Sequence, residues 1–191
     1  GDGLSTYEVP SSLLPPLSPG EWRQVNDAGL LRAAGFTDAT ATVTAVAGTA
    51  PFEAYAVFND NLSNDGSFVP AEPFARETGA PGLGNPVTLV LPVVVETGSF
   101  ESELVLFNAS RGRAQVFLTY TESLASPKGA VGTVAMDLMP GEQRILPRAL
   151  DALREIGLPL GPRGVAAYAG TLAISFVPPL GSEARGFAGA R

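Results

Sequence analysis

Leu138-Met-Pro-Gly-Glu-Gln-Arg144 repeats an earlier segment of the chain, Leu17-Ser-Pro-Gly-Glu-Trp-Arg23. After each copy comes a short run of helix-forming residues that ends at a glycine, Gly35 in the first and Gly157 in the second. An alternating strand sequence then follows in both copies, at residues 41–46 and 170–175. The ordered series of turn, helix, glycine and strand indicates an internal repeat.

Strand-type sequence dominates the rest of the chain. Alternating apolar and β-branched runs are separated by turn clusters rich in Gly, Pro, Asn and Ser. Two short helices are expected, at residues 27–34 and 148–156. The sequence therefore predicts an all-β fold of two antiparallel β-sandwich units, each with one short capping helix. The predicted strands are residues 39–46, 52–58, 87–95, 102–107, 114–121, 132–138, 143–146, 166–177 and 185–188.

The two predicted units are unequal. Residues 1–78 form an incomplete N-terminal sandwich, residues 79–86 a Gly/Pro linker, and residues 87–191 a complete C-terminal sandwich. The first unit has no counterpart of the strand sequences at residues 103–108 and 116–120. Because an incomplete sandwich leaves open strand edges, and because residues 87–95 are strongly apolar, we expect strand exchange or a homo-oligomer.

Composition excludes several classes of function. Among 191 residues there are 12 Lys and Arg against 19 Asp and Glu, a net charge of −7, which opposes nucleic-acid binding and polybasic membrane attachment. His and Cys are absent. This removes Ser-His-Asp triads, Cys nucleophiles, thiolate or imidazole metal sites and disulfides. The longest apolar run, residues 87–95, is too short to span a membrane.

Several segments carry a resemblance to a known kind of protein. Among them are Pro19-Gly-Glu-Trp-Arg-Gln-Val-Asn-Asp27, Tyr55-Ala-Val-Phe-Asn-Asp-Asn61 and Ser102-Glu-Leu-Val-Leu-Phe-Asn-Ala-Ser110. This sequence resembles tandem β-sandwich repeats of uncharacterised exported bacterial proteins. The resemblance implies an immunoglobulin-like or related sandwich located outside the cytoplasm, beside further repeats. It brings no catalytic residues with it.

Exposed aromatic rings are the candidate ligand-binding residues, with Trp22 and Tyr55 as the predicted pair. Together with Tyr120 and Tyr168 they can form a platform on which a sugar stacks. Gln143 takes the place of Trp22 in the second copy, so the repeat's core does not require the indole. The alternative interpretation is a ring packed over one end of a sandwich.

Acidic residues suggest two further sites. Residues 61–72, from Asn61 to Glu72, approach the spacing of a calcium loop, but Asn61 and Ser63 lack the charge of the usual ligands. The alternative is a polar hairpin turn. Glu101 and Glu103 are two apart on a predicted strand and so share a face, as in a glycosidase pair or, more simply, a solvated edge.

The recurring Glu21–Arg23 and Glu142–Arg144 are predicted to form local ion pairs that brace each turn. Asn108-Ala-Ser110 fits the glycosylation acceptor pattern and is interpreted as a turn.

The sequence thus predicts a non-enzymatic exported structural or cell-surface interaction module with an unknown protein or glycan partner. It predicts no catalytic, cofactor-binding or metal-binding residues. The alternatives are a carbohydrate-binding module that uses Trp22 and Tyr55 and, more distantly, a carboxylate-based glycosidase.

Overall fold

A computed structural model describes most of the chain. The described residues are 7–10, 12, 14–25, 41–48, 51–59, 66–71, 75–76, 85–125 and 129–190. Within these ranges the elements are the strands β1 (Tyr55–Asn59), β2 (Gly66–Pro70), β3 (Ala75–Arg76), β4 (Val87–Glu96), β5 (Leu104–Asn108), β6 (Ala114–Glu122), β7 (Gly129–Leu138), β8 (Gln143–Leu146), β9 (Tyr168–Val177) and β10 (Arg185–Ala190), and the helix α1 (Ala149–Glu155) between β8 and β9.

The strands build two four-stranded sheets and one separate pair. Sheet I has the order β3-β10-β5-β8, sheet II has the order β4-β9-β6-β7, and β1 pairs only with β2 among the described residues. All of these pairings are antiparallel. The prediction of a mostly β, antiparallel fold is confirmed for the described residues.

Strict alternation explains why the sheets face each other. Every second residue of β6 is buried, and β9 shows the same pattern from Gly170 onwards. Alternate side chains of a strand point to opposite faces, so each sheet presents one apolar face to the other. The core between the sheets is completed by the buried side chains Val94, Leu104, Leu106, Val116, Leu118, Tyr120, Leu138, Leu172, Ile174 and Phe176.

Helix α1 contributes to the same core. Ala149, Leu150 and Leu153 are buried, and they occupy one side of a helix whose period is 3.6 residues. Gly157 lies just past the end of the helix at Glu155, and its φ of 105° is in the left-handed region that favours glycine. The Leu158 N–H closes the end by donating to the Leu153 carbonyl at 2.9 Å. The first predicted helix, residues 27–34, lies outside the described residues.

Two sequence predictions differ from the structure. A strand was expected at residues 39–46, and its described part, residues 41–46, forms none. This part is exposed and has no strand partner among the described residues, and alternation alone does not hold a strand without a neighbour. In addition, β3 lies in the range predicted for the first unit, but it pairs with β10 in sheet I. The division into two units stays a prediction.

Candidate functional site

The turn after β7 is held by three residues of the repeated motif. The Glu142 N–H donates to the Met139 carbonyl at 3.0 Å, and the Met139 N–H donates to Glu142 Oε2 at 2.7 Å. Arg144 forms an ion pair with the other carboxylate oxygen of Glu142. Gly141 adopts a φ of 73°, which a turn of this shape requires.

The first copy of the motif forms the same turn. The Glu21 N–H donates to the Ser18 carbonyl at 3.0 Å, and the Ser18 N–H donates to Glu21 Oε2 at 2.8 Å. Arg23 Nη2 lies 2.7 Å from Glu21 Oε1, and Gly20 has a φ of 74°. The predicted Glu–Arg pair that braces the turn is confirmed in both copies. The Ser18 N–H and then Arg23 hold the pKa of Glu21 below its ordinary value.

Asn108 locks the second turn to the end of β5. Its backbone N–H donates to the Glu142 carbonyl at 3.0 Å, and its backbone carbonyl accepts from the Gly141 N–H at 2.9 Å. Its side-chain amide donates to the carbonyls of Leu138 and Met139, at 3.0 and 3.1 Å, and to that of Gly112. Asn108 is completely buried, and its hydrogen bonds join the turn to the ends of two strands.

The four predicted aromatic rings do not form one platform. Trp22 is 75% exposed and Tyr55 is 63% exposed, so both predicted ligand-binding side chains are accessible. Tyr120, in contrast, is fully buried and its hydroxyl donates to Glu122 Oε2 at 2.9 Å. Tyr168 is half-buried, with the Arg154 guanidinium 5.4 Å from its ring centre. Tyr120 faces inward because the side chains of its strand alternate between the two faces of the sheet. The prediction of a four-ring platform is therefore wrong.

A cleft of about 520 Å³ lies near the loop that joins β4 to β5. Its lining includes Glu96, Glu101 and Arg163, and Glu101 forms an ion pair with Arg163. Glu103 is not part of this lining. Both residues precede β5, which begins at Leu104; Glu101 is exposed and Glu103 is partly buried. The two carboxylates therefore have different surroundings.

Glu96 binds the helix to sheet II. Arg154 Nη1 and Nη2 reach the two Glu96 oxygens at 2.7 and 2.6 Å, and the side chains are only 12% and 6% exposed. Arg154 also donates to the Gly161 carbonyl at 2.7 Å. The hydrogen bond and then the charge of Glu96 raise the pKa of Arg154, and the two nitrogen–oxygen contacts make the pair bidentate.

Glu122 holds the loop after β6. Its Oε1 accepts from the backbone N–H groups of Leu124 and Ala125, at 2.6 and 2.8 Å, while Tyr120 binds its other oxygen. Burial opposes ionisation of Glu122, but these N–H donors and then the Tyr120 hydroxyl outweigh it, and the pKa of Glu122 is lowered. Burial, followed by the bond to Glu122, raises the pKa of Tyr120.

Sequence reasoning singled out neither Asn108 nor Glu122 as a key residue. The carbonyl of Leu138 that Asn108 contacts is 30 residues away, so no local pattern links them. One sequence feature did point to Asn108: the predicted strand ends in Phe107, so an asparagine follows directly on an apolar strand. Half of the segment that approaches a calcium-loop spacing, residues 61–65 and Glu72, lies outside the described residues. Within the ranges described, no group of three or more acidic side chains is placed to hold a metal ion.

No helix in the described part of the chain has the length and apolar character needed to span a bilayer. Comparison with protein-family models, curated proteins and solved structures found no match.

Proposed function

We propose that the chain is a non-enzymatic, exported structural or cell-surface interaction module built from immunoglobulin-like sandwich repeats. The proposal is supported by the contacts of three buried carboxylates, which all connect structural elements. Glu96, Glu122 and Glu142 are 5%, 3% and 9% exposed, and each binds an arginine, backbone N–H groups or both. Carboxylates fixed in this way serve to join helix, loop and turn to the sheets.

An activity screen tests the non-enzymatic part of the proposal. The full chain and Glu101→Gln are assayed side by side against chromogenic ester, peptide and glycoside substrates. We expect no turnover by either protein. Turnover by the wild type that Glu101→Gln loses would contradict the proposal, and it would favour the carboxylate-based glycosidase. Labelling of intact cells with a membrane-impermeant reagent tests export.

Carbohydrate binding is the second candidate, and the exposure of Trp22 and Tyr55 favours it. A ligand that binds only the folded chain stabilises it by about 2.7 kcal/mol at 100 times its dissociation constant. Thermal melts with a panel of oligosaccharides therefore detect such a ligand. A shift that disappears in Trp22→Ala, but persists in Phe100→Ala, would assign the site to the exposed indole. Phe100 is a matched control because it is 72% exposed.

A further inference from the structure

Two ion pairs at one end of sheet II differ in how completely their atoms are used. In the buried pair, Arg154 donates to both oxygens of Glu96, at 2.7 and 2.6 Å. In the open pair, Arg163 binds only Oε1 of Glu101, through Nε at 3.0 Å and through Nη2. No hydrogen bond within the described part of the chain reaches Glu101 Oε2 or Arg163 Nη1. Both residues are exposed, so these two groups are available to a ligand.

The open pair lies on the wall of the cleft of about 520 Å³ near the β4–β5 loop. The β4–β5 loop forms one side of the cleft, and residues 163–167, just before β9, form the other. The Thr97 hydroxyl fixes the first loop, because it accepts from the Phe100 N–H at 2.9 Å and donates to the Phe100 carbonyl at 3.2 Å. The volume is within the range of about 300–1,000 Å³ that is typical of small-molecule sites.

The charges around the cleft favour a neutral ligand. Arg163 balances the charge of Glu101, and Arg154 balances that of Glu96. A charged ligand would have to displace one member of the open pair and leave the other without its partner. The net charge of −7 of the whole chain further opposes an anion. A ligand that suits this cleft therefore carries hydrogen-bonding groups but no net charge.

We propose that the cleft binds a neutral saccharide through two adjacent ring hydroxyls. A hydroxyl both donates and accepts, so one hydroxyl donates to Glu101 Oε2 while its neighbour accepts from Arg163 Nη1. Val165, in the lining and 77% exposed, offers an apolar surface to the C–H groups of the sugar ring. This inference rests on the proposed interaction role, because it names the ligand class of the module. The site is separate from the candidate pair Trp22 and Tyr55.

The lining favours binding of a saccharide over its cleavage. Most glycosidases use two carboxyl groups that flank the bond to be broken. Among the residues that line the cleft, Glu96 and Glu101 carry carboxylates, and Arg154 occupies both oxygens of Glu96. Glu101 therefore has no second available carboxylate in the lining to act with, and we expect the bound saccharide to be released unchanged.

Titration calorimetry on the full chain tests the inference. The neutral probes are maltose, cellobiose, lactose and mannobiose, and the hyaluronan disaccharide is an anionic comparison. We expect saturable binding of at least one neutral disaccharide, with a dissociation constant below about 10 mM. The hyaluronan disaccharide should bind more weakly than this neutral ligand, because its carboxylate meets the carboxylate of Glu101.

Variants of the open pair locate the site. Glu101→Ala and Arg163→Ala each remove one of the two available groups and should weaken binding at least about tenfold. Both variants should fold, since an exposed ion pair contributes little to stability. Asp137→Ala is the matched control. It breaks the exposed pair with Arg113 at the opposite end of sheet II, so it should leave the dissociation constant unchanged.

Three results would overturn the inference. They are no saturable binding of any neutral disaccharide up to about 10 mM, binding of the anionic disaccharide alone, and wild-type affinity in Glu101→Ala or Arg163→Ala. Binding that Trp22→Ala loses and Glu101→Ala keeps would place the saccharide at the exposed indole instead. All of these results leave the proposed function intact. Cleavage of a disaccharide, detected by chromatography of the same mixtures, would overturn the proposed function whatever the affinities are.

Discussion

At the scale of single residues, buried carboxylates make the stability of the chain depend on pH. The pKa values of Glu122 and Glu142 are lowered, because N–H donors, and for Glu142 also Arg144, outweigh the effect of burial. A carboxylate with a lowered folded pKa stabilises the fold above its unfolded pKa, which is about 4.3. That stabilisation is lost as the pH falls through the folded pKa.

Glu122→Gln should therefore lower the free energy of unfolding at neutral pH and weaken its dependence on pH in the acid range. We expect a loss of about 2 kcal/mol at pH 7, because hydrogen bonds to a charged group are stronger than neutral ones. Urea unfolding at a series of pH values from about 7 to 3 measures both effects. Glu53→Gln, at an exposed position, is the control. An acid slope in Glu122→Gln equal to that of the wild type would contradict the prediction.

The Arg154–Glu96 pair leads to a second prediction at this scale. Arg154→Ala leaves the Glu96 carboxylate buried without its bidentate partner, and breaking a buried pair in this way costs about 3 kcal/mol or more. Arg113→Ala breaks the exposed pair with Asp137, in which Arg113 is 62% exposed, and should cost less than about 1 kcal/mol. Chemical denaturation of both variants gives the comparison. Equal losses in the free energy of unfolding would show that the buried pair stabilises the fold no more than the exposed pair does.

At the scale of elements, the two copies of the turn allow a matched pair of glycine substitutions to be compared. Gly141 and Gly20 have φ values of 73° and 74°, and an added Cβ meets no atom within 4 Å at either site. The cost of Ala at each is therefore conformational, about 1 kcal/mol. Gly141→Ala should lower the stability of the sandwich by this amount, because the second turn is docked on β5. Gly20→Ala should lower the melting temperature less than Gly141→Ala, because none of the hydrogen bonds among the described residues joins the first turn to β5, and thermal melts distinguish the two.

Two strands of the four-stranded sheets illustrate what was predictable from the sequence. β8 was predicted at residues 143–146, and β4 at residues 87–95, within one residue of the observed Val87–Glu96. Both have neighbours that complete their hydrogen bonds. Residues 41–46 have an equally good pattern but form no strand, because pattern alone supplies no neighbour. β3 was missed because a strand of two residues has no period to detect.

The candidate site was only partly predictable for a similar reason. The Glu–Arg pairs of both turns are two residues apart, so their contact follows from the local sequence. The role of Asn108 depends on residues that are distant in sequence, and that contact exists only after the sheets assemble. Tyr120 was considered as part of a sugar-stacking platform because of its amphipathic ring, yet the alternation of β6 places it on the inner face.

At the scale of the whole molecule, the edges of the sheets determine how copies of the chain can meet. In the part of the chain that the structure describes, sheet II ends at β4, a strand of ten residues with Val90 and Val93 each 61% exposed. A long, exposed, apolar edge strand invites pairing with another chain. Two features interrupt this edge. Pro92 has no N–H to donate, and the register of β4 against β9 shifts between Leu91 and Val94.

Pro92→Thr should increase association between copies of the chain. Threonine restores a backbone donor at the middle of the edge and favours strand conformation, so β4 offers a longer row of groups for pairing. Static light scattering over a range of protein concentrations should show an apparent mass that rises with concentration more steeply than for the wild type. Pro179→Thr, at an exposed proline outside the strands, is the matched control and should behave as the wild type. Identical masses for Pro92→Thr and the wild type at every concentration would show that Pro92 does not protect this edge from pairing. Prevention of association through β4 would then be excluded as the reason for a proline at this position.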